Sequence, residues 1–402
     1  MKSVPEIRFS KYSEDWIQDH FSDLTYPAGV KNRDNLDLPS YSITNDHGFV
    51  RQDVKFENGG TMKDADKSMY YIVSPHSFAY NPARINVGSI GYQDLDHNVI
   101  ISSLYEIFKV SGPAVDKFLW WWFKTQAFKT QVKKLQEGGV RLYFFYDKLC
   151  KSILQYPKSK QEQTAIGKFF DDLDEYISSQ ALELQKLKNI KKACLEKMFP
   201  KEGELVPEIR FDGFEGNWEK KPAKKLFSLY SDKGYPSLPV LSASQEEGMI
   251  LRNDVGFNMS YNKENIISYK RVRPGQFVIH LRSFQGGFAH SDLEGITSPA
   301  YTIFGLRDVD NHDDHFWGIY FTSKSFIKRL EKVTYGIRDG RSISVDGFMN
   351  LDMTYPSTKE EQSNIAKFFS RLDVHIKAMS DKLDKLKQIR KGLLEKMFVA
   401  NN

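Results

Sequence analysis

The five residues LEKMF occur twice, at Leu195–Phe199 and at Leu394–Phe398, each time at the end of a charged segment that is poor in Gly and Pro. The flanking sequence repeats too. Residues 156–199 align with residues 355–398 without a gap, and 23 of the 44 positions are identical. Because such agreement is far beyond chance, the chain contains an internal duplication with a period of about 200 residues. A period of that length predicts two whole domains, and not a solenoid of small repeats.

The front part of each repeat carries further matching positions. VPEIRF stands at Val4–Phe9 and again at Val206–Phe211, and a tryptophan follows each at the same distance, Trp16 and Trp218. Behind these anchors, short aromatic and β-branched runs alternate with Gly, Pro and Asn turns, which is typical of a mixed α/β domain. We therefore predict an α+β protein built from two similar mixed α/β domains.

The rear part of each repeat has apolar residues at steps of three and four over about 35 residues, which predicts a long amphipathic helix. Pro157 and Pro356 precede the two helices. A helix of this length cannot bury its apolar stripe inside one small domain, so we predict that the two helices pair antiparallel. The predicted packing residues are Phe169, Phe170, Leu173, Ile177, Leu184, Leu187, Phe368, Phe369, Leu372, Ile376, Leu383 and Leu386, and the stripe also includes Ile190 and Ile389.

Charge supports the antiparallel pairing at one end, because the start of the first helix is acidic and the end of the second is basic. Two unrelated surface helices remain the alternative. The predicted organisation is a mixed α/β domain over residues 1–157, a helix over 158–199, a second such domain over 200–356 and a second helix over 357–402. Together these segments form an internal duplication with pseudo-twofold symmetry.

The composition is that of a globular protein with a modest positive charge. Of the 402 residues, 40% are hydrophobic and 27% charged, and the net charge of +5 permits a polyanionic partner. The two cysteines, Cys150 and Cys194, lie far apart and suit a reducing compartment. The N-terminus has no apolar signal region, and no run has the roughly 18 to 20 apolar residues of a membrane span. We therefore expect a cytoplasmic protein that does not contact a membrane.

The usual motifs of several enzyme classes are absent from the sequence. There is no Gly-x-x-x-x-Gly-Lys-[Ser/Thr] loop for nucleotide phosphates, no Pro-Asp dipeptide of the common acidic nuclease signature, and no complete amino-methyltransferase motif. His312-Asp-Asp-His315 has two histidines at helical spacing, but solvated loop histidines are the simpler interpretation, so we expect no metal site. We predict no catalytic residues in this chain.

The doubled motifs resemble those of a known family. VPEIRF followed by Trp, a Tyr-Pro-x-x-x-x-Glu-Gln entry, Ile-x-x-Phe-Phe-x-x-Leu-Asp and a closing Leu-Glu-Lys-Met-Phe, all present twice, look like the specificity (S) subunit of type I restriction-modification enzymes. The resemblance covers essentially the whole chain. One departure is the first domain's entry, where the sequence after Trp16 differs from the basic, Leu-containing start that follows Trp218.

This resemblance implies a non-catalytic DNA-binding subunit. Two target-recognition domains would each read one half of a bipartite, asymmetric site on double-stranded DNA. The helices would form an antiparallel spacer and dock two modification (methyltransferase) subunits, which restriction (motor and nuclease) subunits join. S-adenosylmethionine, ATP and Mg²⁺ would be cofactors of those partners, and none is expected in this chain. The repeated LEKMF ends would serve partner surfaces, the packing of a shared core, or both.

Residues that are shared by both copies cannot distinguish two different half-sites, so base readout should lie where the copies differ. Arg141 and Arg338, each in Gly-aliphatic-Arg, are therefore candidates for phosphate contact or loop anchoring. Arg and Lys suit guanine edges, and Asn and Gln suit adenine. The remaining predicted DNA-binding residues are Arg51, Arg84, Asn86, Gln93, Lys270, Arg271, Arg273, Arg282, Gln285 and Arg341. The Trp120–Trp122 run is predicted to be core or a domain seam.

Two functions of other classes stay open on the sequence alone. One is a single-chain nuclease or methylation-associated enzyme with unrecognised motifs, which would cut DNA with magnesium and no partner. The other is a protein-only coiled-coil scaffold, whose interactions would not weaken with salt as DNA binding does.

Overall fold

The structure is a computed structural model, and it describes residues 4–45, 48–55, 66–136, 143–244, 247–252, 263–279, 287–335 and 342–399. The chain divides into two compact units. Unit 1 consists of Met1–Ala181 together with Lys382–Asn402, and unit 2 is Leu182–Asp381. Each unit thus contains a part of each long helix. The predicted division at 157/158, 199/200 and 356/357 is linear along the chain and does not include this sharing of helix segments.

Unit 1 consists of short strands and short helices followed by the first long helix. Its strands, in the part of the chain that the structure describes, are β1 (Ile17–His20), β2 (Thr25–Pro27), β3 (Val30–Lys31), β4 (Tyr41–Thr44), β5 (Gly48–Arg51), β6 (Tyr71–Val73), β7 (Ser77–Tyr80), β8 (Ile90–Gln93), β9 (Val99–Ile101), β10 (Glu106–Val110) and β11 (Ile153–Tyr156). Its helices are α1 (Phe21–Leu24), α2 (Gln52–Lys55), α3 (Asp116–Trp122), α4 (Gln126–Leu135), α5 (Tyr146–Leu149) and the first part of α6 (Lys160–Lys197), with a 3₁₀ turn at Ile85–Val87.

Unit 2 repeats this order. Its described strands are β12 (Glu219–Pro222), β13 (Phe227–Tyr230), β14 (Leu241–Ser244), β15 (Gly248–Leu251), β16 (Lys270–Val272), β17 (Gln276–Ile279), β18 (Phe288–Ser291), β19 (Gly295–Thr297), β20 (Thr302–Leu306), β21 (Thr334–Tyr335), β22 (Ser342–Ile343) and β23 (Asp352–Tyr355). Its helices are α7 (Ala223–Leu226), α8 (Asp314–Tyr320), α9 (Lys324–Glu331), α10 (Val345–Asn350) and the first part of α11 (Lys359–Lys396), with a 3₁₀ helix at Lys263–Ser268.

The two units share their sheet topology. The order β2-β10-β7-β8 in unit 1 corresponds to β13-β20-β17-β18 in unit 2, and the pairs β1-β11, β4-β5 and β6-β9 correspond to β12-β23, β14-β15 and β16-β19. All these pairings are antiparallel. The predicted duplication and the predicted mixed α/β character are therefore confirmed within each unit.

An aromatic core fills each unit between its four-stranded sheet and its helices. In unit 1 the fully buried core residues include Phe78, Phe108, Phe118, Trp121 and Trp122. In unit 2 the equivalent layer comprises Phe277, Phe304, Phe316, Trp317 and Phe321. Large aromatic side chains bury more apolar area than any others, so these clusters account for much of the stability of each unit.

The long helices begin in the same way. Ser159 Oγ accepts a hydrogen bond from the Glu162 amide at 3.4 Å, and Thr358 Oγ1 accepts one from the Glu361 amide at 3.4 Å. Side-chain oxygens at these positions satisfy amides that lack a partner inside the helix. The starts at Lys160 and Lys359 lie close to the predicted segment starts, 158 and 357.

The segments of α6 and α11 run antiparallel in both units. In unit 1, Asp174 pairs with Arg390, while Lys382 Nζ donates to Gln180 Oε1 at 2.8 Å. Residue numbers increase along α6 while those of their partners decrease along α11, so the two segments run antiparallel.

In unit 2, Lys191 pairs with Asp373, and the ring of Phe199, just beyond α6, packs on that of Phe369 at 6.3 Å. These contacts show the same antiparallel direction. The ion pair between Arg390 and Asp174 joins the basic end of α11 to the acidic first half of α6, as predicted.

The repeated LEKMF ends close the cores. Met198 and Phe199 lie in the core of unit 2, where Phe199 packs against Phe316 at 6.0 Å. Met397 and Phe398 lie in the core of unit 1, where Phe398 packs against Phe118 at 5.0 Å. These four side chains are at most 4% exposed, so core packing is the role that the structure supports. A partner surface made of these Met and Phe side chains is ruled out by their burial.

Within the described ranges, no helix combines the length and the apolar character that crossing a bilayer would require.

Candidate nucleic-acid interface

The basic run of unit 2 forms an ordered strand that leads into a turn. Lys270 and Arg271 lie in β16, and Arg273 follows it before Pro274 and Gly275. Gly275 has φ +79°, a conformation that side-chain-bearing residues rarely adopt, so the turn requires glycine there. The structure therefore brings the three predicted cations of this run together on one strand and turn.

Each of these cations already has an acceptor. Lys270 Nζ donates to the Tyr301 carbonyl oxygen at 2.6 Å, and burial lowers the pKa of the Lys270 ammonium. Arg271 is paired with Glu294, and its guanidinium lies 4.5 Å from the centre of the Tyr235 ring.

Arg273 Nη2 lies 2.9 Å from Asp232 Oδ2 and is the most exposed of the three. A phosphate would thus have to replace a carboxylate at Arg271 or Arg273, and Lys270 serves to hold the strand.

Arg51 in unit 1 stands at the end of β5 beside an open cleft. Its guanidinium donates to both carboxylate oxygens of Asp53, at 3.0 and 2.6 Å, and the side chain is about half exposed. The cleft has a volume of about 440 Å³, and its lining residues include Tyr41, Phe49, Arg51, Tyr92, Gln93 and Trp120. Arg51 therefore faces solvent at a concave, aromatic surface.

Arg84 and Asn86 lie on the 3₁₀ turn between β7 and β8, and both side chains are exposed. Asn81 shapes this turn, because its side-chain oxygen accepts from the Ala83 amide at 2.9 Å and its carbonyl accepts from the Arg84 amide at 3.0 Å. Such a side-chain-to-backbone turn fixes the local backbone. Arg84 and Asn86, the two predicted base-contacting residues, therefore lie together on a turn whose backbone is held by hydrogen bonds.

Gln93 is placed differently from the prediction. It is 1% exposed, and its Nε2 donates to the His97 carbonyl at 2.7 Å and to the Val73 carbonyl at 3.4 Å. Its Oε1 is buried and has no hydrogen-bond partner among the described atoms. Bidentate readout of adenine needs a free, accessible amide, so this placement contradicts the role predicted for Gln93. All four residues of β8 are buried, so the strand carries no alternation that could have marked Gln93 as buried.

Several predicted residues lie outside the described residues. They are Arg141, Arg282, Gln285, Arg338 and Arg341.

The predicted packing residues of the long helices lie on α6 and α11. All twelve, from Phe169 to Leu386, are buried or half-buried. Ile190 and Ile389 are the exceptions in the predicted stripe, because they are 50% and 53% exposed. These two residues occupy equivalent positions in the two copies, so the error is the same on both helices.

A buried cluster of arginine, glutamate and tryptophan explains why VPEIRF and Tyr-Pro-x-x-x-x-Glu-Gln recur. In unit 1, Arg8 Nε and Nη2 donate to Glu162 Oε1 and Oε2 at 2.6 and 2.8 Å, and Trp16 Nε1 donates to Oε1 at 3.4 Å. The pKa of Arg8 is raised, chiefly by this hydrogen bond. A planar guanidinium matches a carboxylate in this two-point geometry. These contacts connect the segment before β1 that contains Arg8 and Trp16, which we call the N-terminal arm, to the start of α6.

Unit 2 contains the same cluster. Arg210 donates to Glu361 at 2.7 and 2.8 Å, and Trp218 Nε1 donates to Glu361 at 3.2 Å. Both glutamates are 1% exposed. The sequence contained this signal as two motifs repeated together, but the partners lie more than 140 positions apart, which motif spacing alone does not reveal.

The glutamine of the same motif fixes the preceding loop. Gln163 Nε2 donates to the Pro157 carbonyl at 2.8 Å, and its Oε1 accepts from the Val115 amide at 2.8 Å. In unit 2, Gln362 bonds the Pro356 carbonyl and the Asp313 amide, both at 3.0 Å. The Glu-Gln pair is therefore a structural element and does not contribute to the surface.

The Trp120–Trp122 run belongs mainly to the core of unit 1, as predicted. Trp121 and Trp122 are 2% exposed, and Trp120 is half-buried beside the cleft. Lys124 Nζ lies 4.1 Å from the Trp120 ring centre and 4.3 Å from that of Trp121. Burial is the main cause that lowers the pKa of Lys124 to about 8, and the positive charge of Arg390 adds to it.

The two histidines of His312-Asp-Asp-His315 do not face each other as one helical pair. His312 precedes α8 and packs against Trp317 and Tyr355, with ring centres at 5.9 and 5.2 Å. Burial lowers its pKa. His315 lies on the first turn of α8, beside His290 of β18. The sequence spacing thus paired His315 with His312, whereas in the structure the histidine next to His315 is His290.

Comparisons with known proteins identify the fold. No protein-family model and no curated protein sequence matches the chain. Among solved structures, the S subunit of a type I restriction-modification system from M. genitalium covers 99% of this chain and 100% of its own, with a TM-score of 0.56 and 14% identity. A chain from a structure on complex assembly and conformational transition of the type I R-M system covers 94% of this chain and 96% of its own, with a TM-score of 0.53 and 13% identity.

At this level of identity the similarity shows a shared fold. The chain has the fold of type I S subunits along nearly its entire length, which confirms the predicted fold class.

Proposed function

We propose that this chain is the non-catalytic DNA-specificity subunit of a type I restriction-modification complex. The observation that carries the proposal is the duplicated architecture, in which each unit combines a mixed α/β domain with segments of both long helices. That architecture coincides with the fold of an S subunit over 99% of the chain. A duplicated chain whose copies have diverged suits a target with two unequal halves.

In this proposal each unit reads one half of a bipartite, asymmetric site on double-stranded DNA. Arg84 and Asn86 in unit 1 support it best, since both side chains are exposed on a fixed turn. Arg51 in unit 1 and Arg271 and Arg273 in unit 2 are further candidates, each of which would exchange a carboxylate for a phosphate or a guanine edge. One bidentate contact is worth about 1–3 kcal/mol of discrimination between bases.

The long helices are proposed to dock two modification subunits. Ile190 and Ile389, exposed at equivalent positions, support two equivalent docking surfaces. Restriction subunits would join that assembly. Methyl transfer from S-adenosylmethionine and ATP- and Mg²⁺-dependent translocation and cleavage would belong to the partners.

The helices are also proposed to set the number of base pairs between the half-sites. Four residues added to each helix would lengthen it by about 6 Å, at about 1.5 Å per residue. Base pairs rise about 3.4 Å each along the duplex. The spacer should then grow by about two base pairs, while the bases of both half-sites stay the same.

A methylation map tests the proposed function. The chain is co-expressed with the modification subunit from the same source, and methylated adenines are mapped across the host genome. We expect one bipartite motif with a fixed spacer. Replacing Arg84 and Asn86 by alanine should relax one half only, while Arg273→Ala should affect the other half or the overall affinity.

The same purified proteins distinguish the alternative functions. DNA binding should weaken steeply with added salt, since phosphate contacts release counterions. Cleavage of DNA by the isolated chain with Mg²⁺ alone would establish a single-chain nuclease instead. If the complex binds no DNA at any salt concentration, the protein-only coiled-coil scaffold is the remaining alternative function.

A further inference from the structure

Three side chains of unit 2 direct metal-ligating atoms at a common point. They are His290 at the third position of β18, Asp292 just after that strand, and His315 on the first turn of α8. Asp292 Oδ1 lies 3.7 Å from His290 Nδ1 and 3.7 Å from His315 Nε2, and all three ligand atoms lie within 4.8 Å of one another. Zinc binds nitrogen at about 2.0–2.1 Å, so neighbouring ligands around a tetrahedral ion lie about 3.3 Å apart. Small side-chain rotations would close the remaining gap.

A fourth residue sets the orientation of His290. Its Nε2 lies 2.7 Å from Asp314 Oδ2, so that nitrogen carries the proton that it donates to the carboxylate. The Nδ1 atom, which points toward Asp292, is then left with a free electron pair. A carboxylate that holds the far nitrogen of an imidazole in this way is the usual support of a metal-binding histidine.

The backbone around the three side chains is fixed. His290 is paired with Phe277 of β17, and their ring centres lie 5.3 Å apart. Asp313 caps the start of helix α8, and its side chain accepts from the Phe316 amide at 2.9 Å and from Ser363 Oγ at 2.6 Å. Helix α8 and strand β18 approach so closely that a Cβ atom added at Gly318 would lie 3.3 Å from His290 Cβ. The two histidines therefore project from rigid elements, and Asp292 directly follows one of them.

Unit 1 holds a different set of residues at the same places. Tyr92 of β8 takes the place of His290, and its hydroxyl donates to Asp116 Oδ2 at 2.9 Å, where unit 2 has Asp314. Lys117 takes the place of His315, and its ammonium lies 3.4 Å from Asp94, the counterpart of Asp292. Unit 1 thus places the positive charge of a lysine beside its aspartate.

In unit 2 that lysine is absent, and two imidazoles surround the aspartate instead. We propose that His290, Asp292 and His315 bind one divalent transition-metal ion, with Asp314 as the residue that positions His290. Two imidazoles and one carboxylate favour zinc or a similar first-row ion over magnesium or calcium, which prefer oxygen ligands. Three protein ligands leave a fourth position for water.

The test measures metal binding to the untagged, full-length chain. Apo-protein is titrated with Co²⁺, whose visible absorption reports tetrahedral coordination, and Zn²⁺ is then added to displace it. We expect one ion per chain. The double variant H290Y/H315K, which installs the residues of unit 1, should lose this binding. Asp314→Ala should weaken it about 10- to 100-fold, and His375→Gln, which alters an exposed histidine of α11, should leave it unchanged.

Folding of every variant is checked by circular dichroism and thermal melting. If H290Y/H315K does not fold, Asp292→Asn replaces it, because that side chain is exposed and its loss should abolish tetrahedral binding without disturbing the core. Stoichiometric binding that persists in a folded H290Y/H315K or D292N chain would place the ion elsewhere and overturn the proposal. Failure of the wild-type chain to bind either ion at micromolar concentration would overturn it as well.

Discussion

Unit 1 and unit 2 have the same supporting framework and differ in side chains at its edges. Both close an N-terminal arm onto a long helix with an arginine, a glutamate and a tryptophan, and the arginine–glutamate distances agree within 0.1 Å, 2.6 and 2.8 Å against 2.7 and 2.8 Å. Both also enclose the phenylalanine of LEKMF in an aromatic core. These contacts have kept their residue types in both copies.

The differences lie beside the four-stranded sheets. Tyr92 and Lys117 in one unit stand where His290 and His315 stand in the other. Lys124, half-buried in unit 1, corresponds to the exposed Thr322 of unit 2. The comparison teaches that the arginine–glutamate–tryptophan contacts specify the shared architecture, whereas positions beside the four-stranded sheet, some of them buried, have diverged between the two units.

The largest effect should come from the helix ends. Phe199→Ala and Phe398→Ala each remove a buried ring from the core of a unit, which costs about 3–5 kcal/mol of unfolding free energy. Urea denaturation followed by tryptophan fluorescence measures this. The two variants should be destabilised to a similar extent, while Leu182→Ala, at a position 58% exposed, should have little effect. Tolerance of either phenylalanine variant would contradict the core role of LEKMF.

The arginine–glutamate clusters should give the next largest effect. Glu162→Ala or Glu361→Ala leaves a mostly buried arginine without its carboxylate, and breaking such a pair costs about 3 kcal/mol. Both variants should shift the urea midpoint similarly. Asp172→Ala, which breaks an exposed ion pair with Lys168, serves as the control and should leave the midpoint almost unchanged. A large difference between the two glutamate variants would show that the clusters are not equivalent.

Lys124 should make the pH dependence of the two units differ. The unfolded chain keeps this proton up to about pH 10.5, whereas the folded chain releases it near pH 8. The unfolded state therefore binds more protons between these values, and stability should rise with pH across that window. The shift from about 10.5 to about 8 corresponds to about 3.5 kcal/mol in full, at about 1.4 kcal/mol per pKa unit, and about 2 kcal/mol of it falls between pH 7.5 and 9.5.

Lys124→Thr, which installs the residue of unit 2, should abolish this rise in stability. Urea denaturation at pH 7.5, 8.5 and 9.5 measures it. An equal rise in the variant would mean that another group titrates.

The sequence predicted the elements that depend on local patterns. The gap-free repeat gave the duplication, and the spacing of Phe169, Leu173 and Ile177 gave the long helix with its buried face. The exchange of helix segments between units was not predicted, because it depends on contacts such as that between Phe118 and Phe398, which no local pattern encodes.

The candidate DNA-binding residues were harder to predict. Comparing the copies selected exposed residues such as Arg84, but it also selected Gln93, which is buried in the sheet. Composition shows that a side chain is polar, whereas only its place in the fold shows where its hydrogen bonds go. The acidic partners of Arg51 and Arg273 were missed for the same reason.

The central claim, that each unit reads its own half of the target, is tested most directly by making the units alike. Residues 1–155 are replaced by the corresponding residues of unit 2. Arg210 and Trp218 then take the places of Arg8 and Trp16, and the LEKMF sequence at Leu394–Phe398 is left unchanged. The variant is co-expressed with the modification subunit, and methylated adenines are mapped. The account predicts a symmetric target in which the half-site of unit 2 occurs twice in inverted orientation. An unchanged asymmetric target, or a change in both halves, would contradict it.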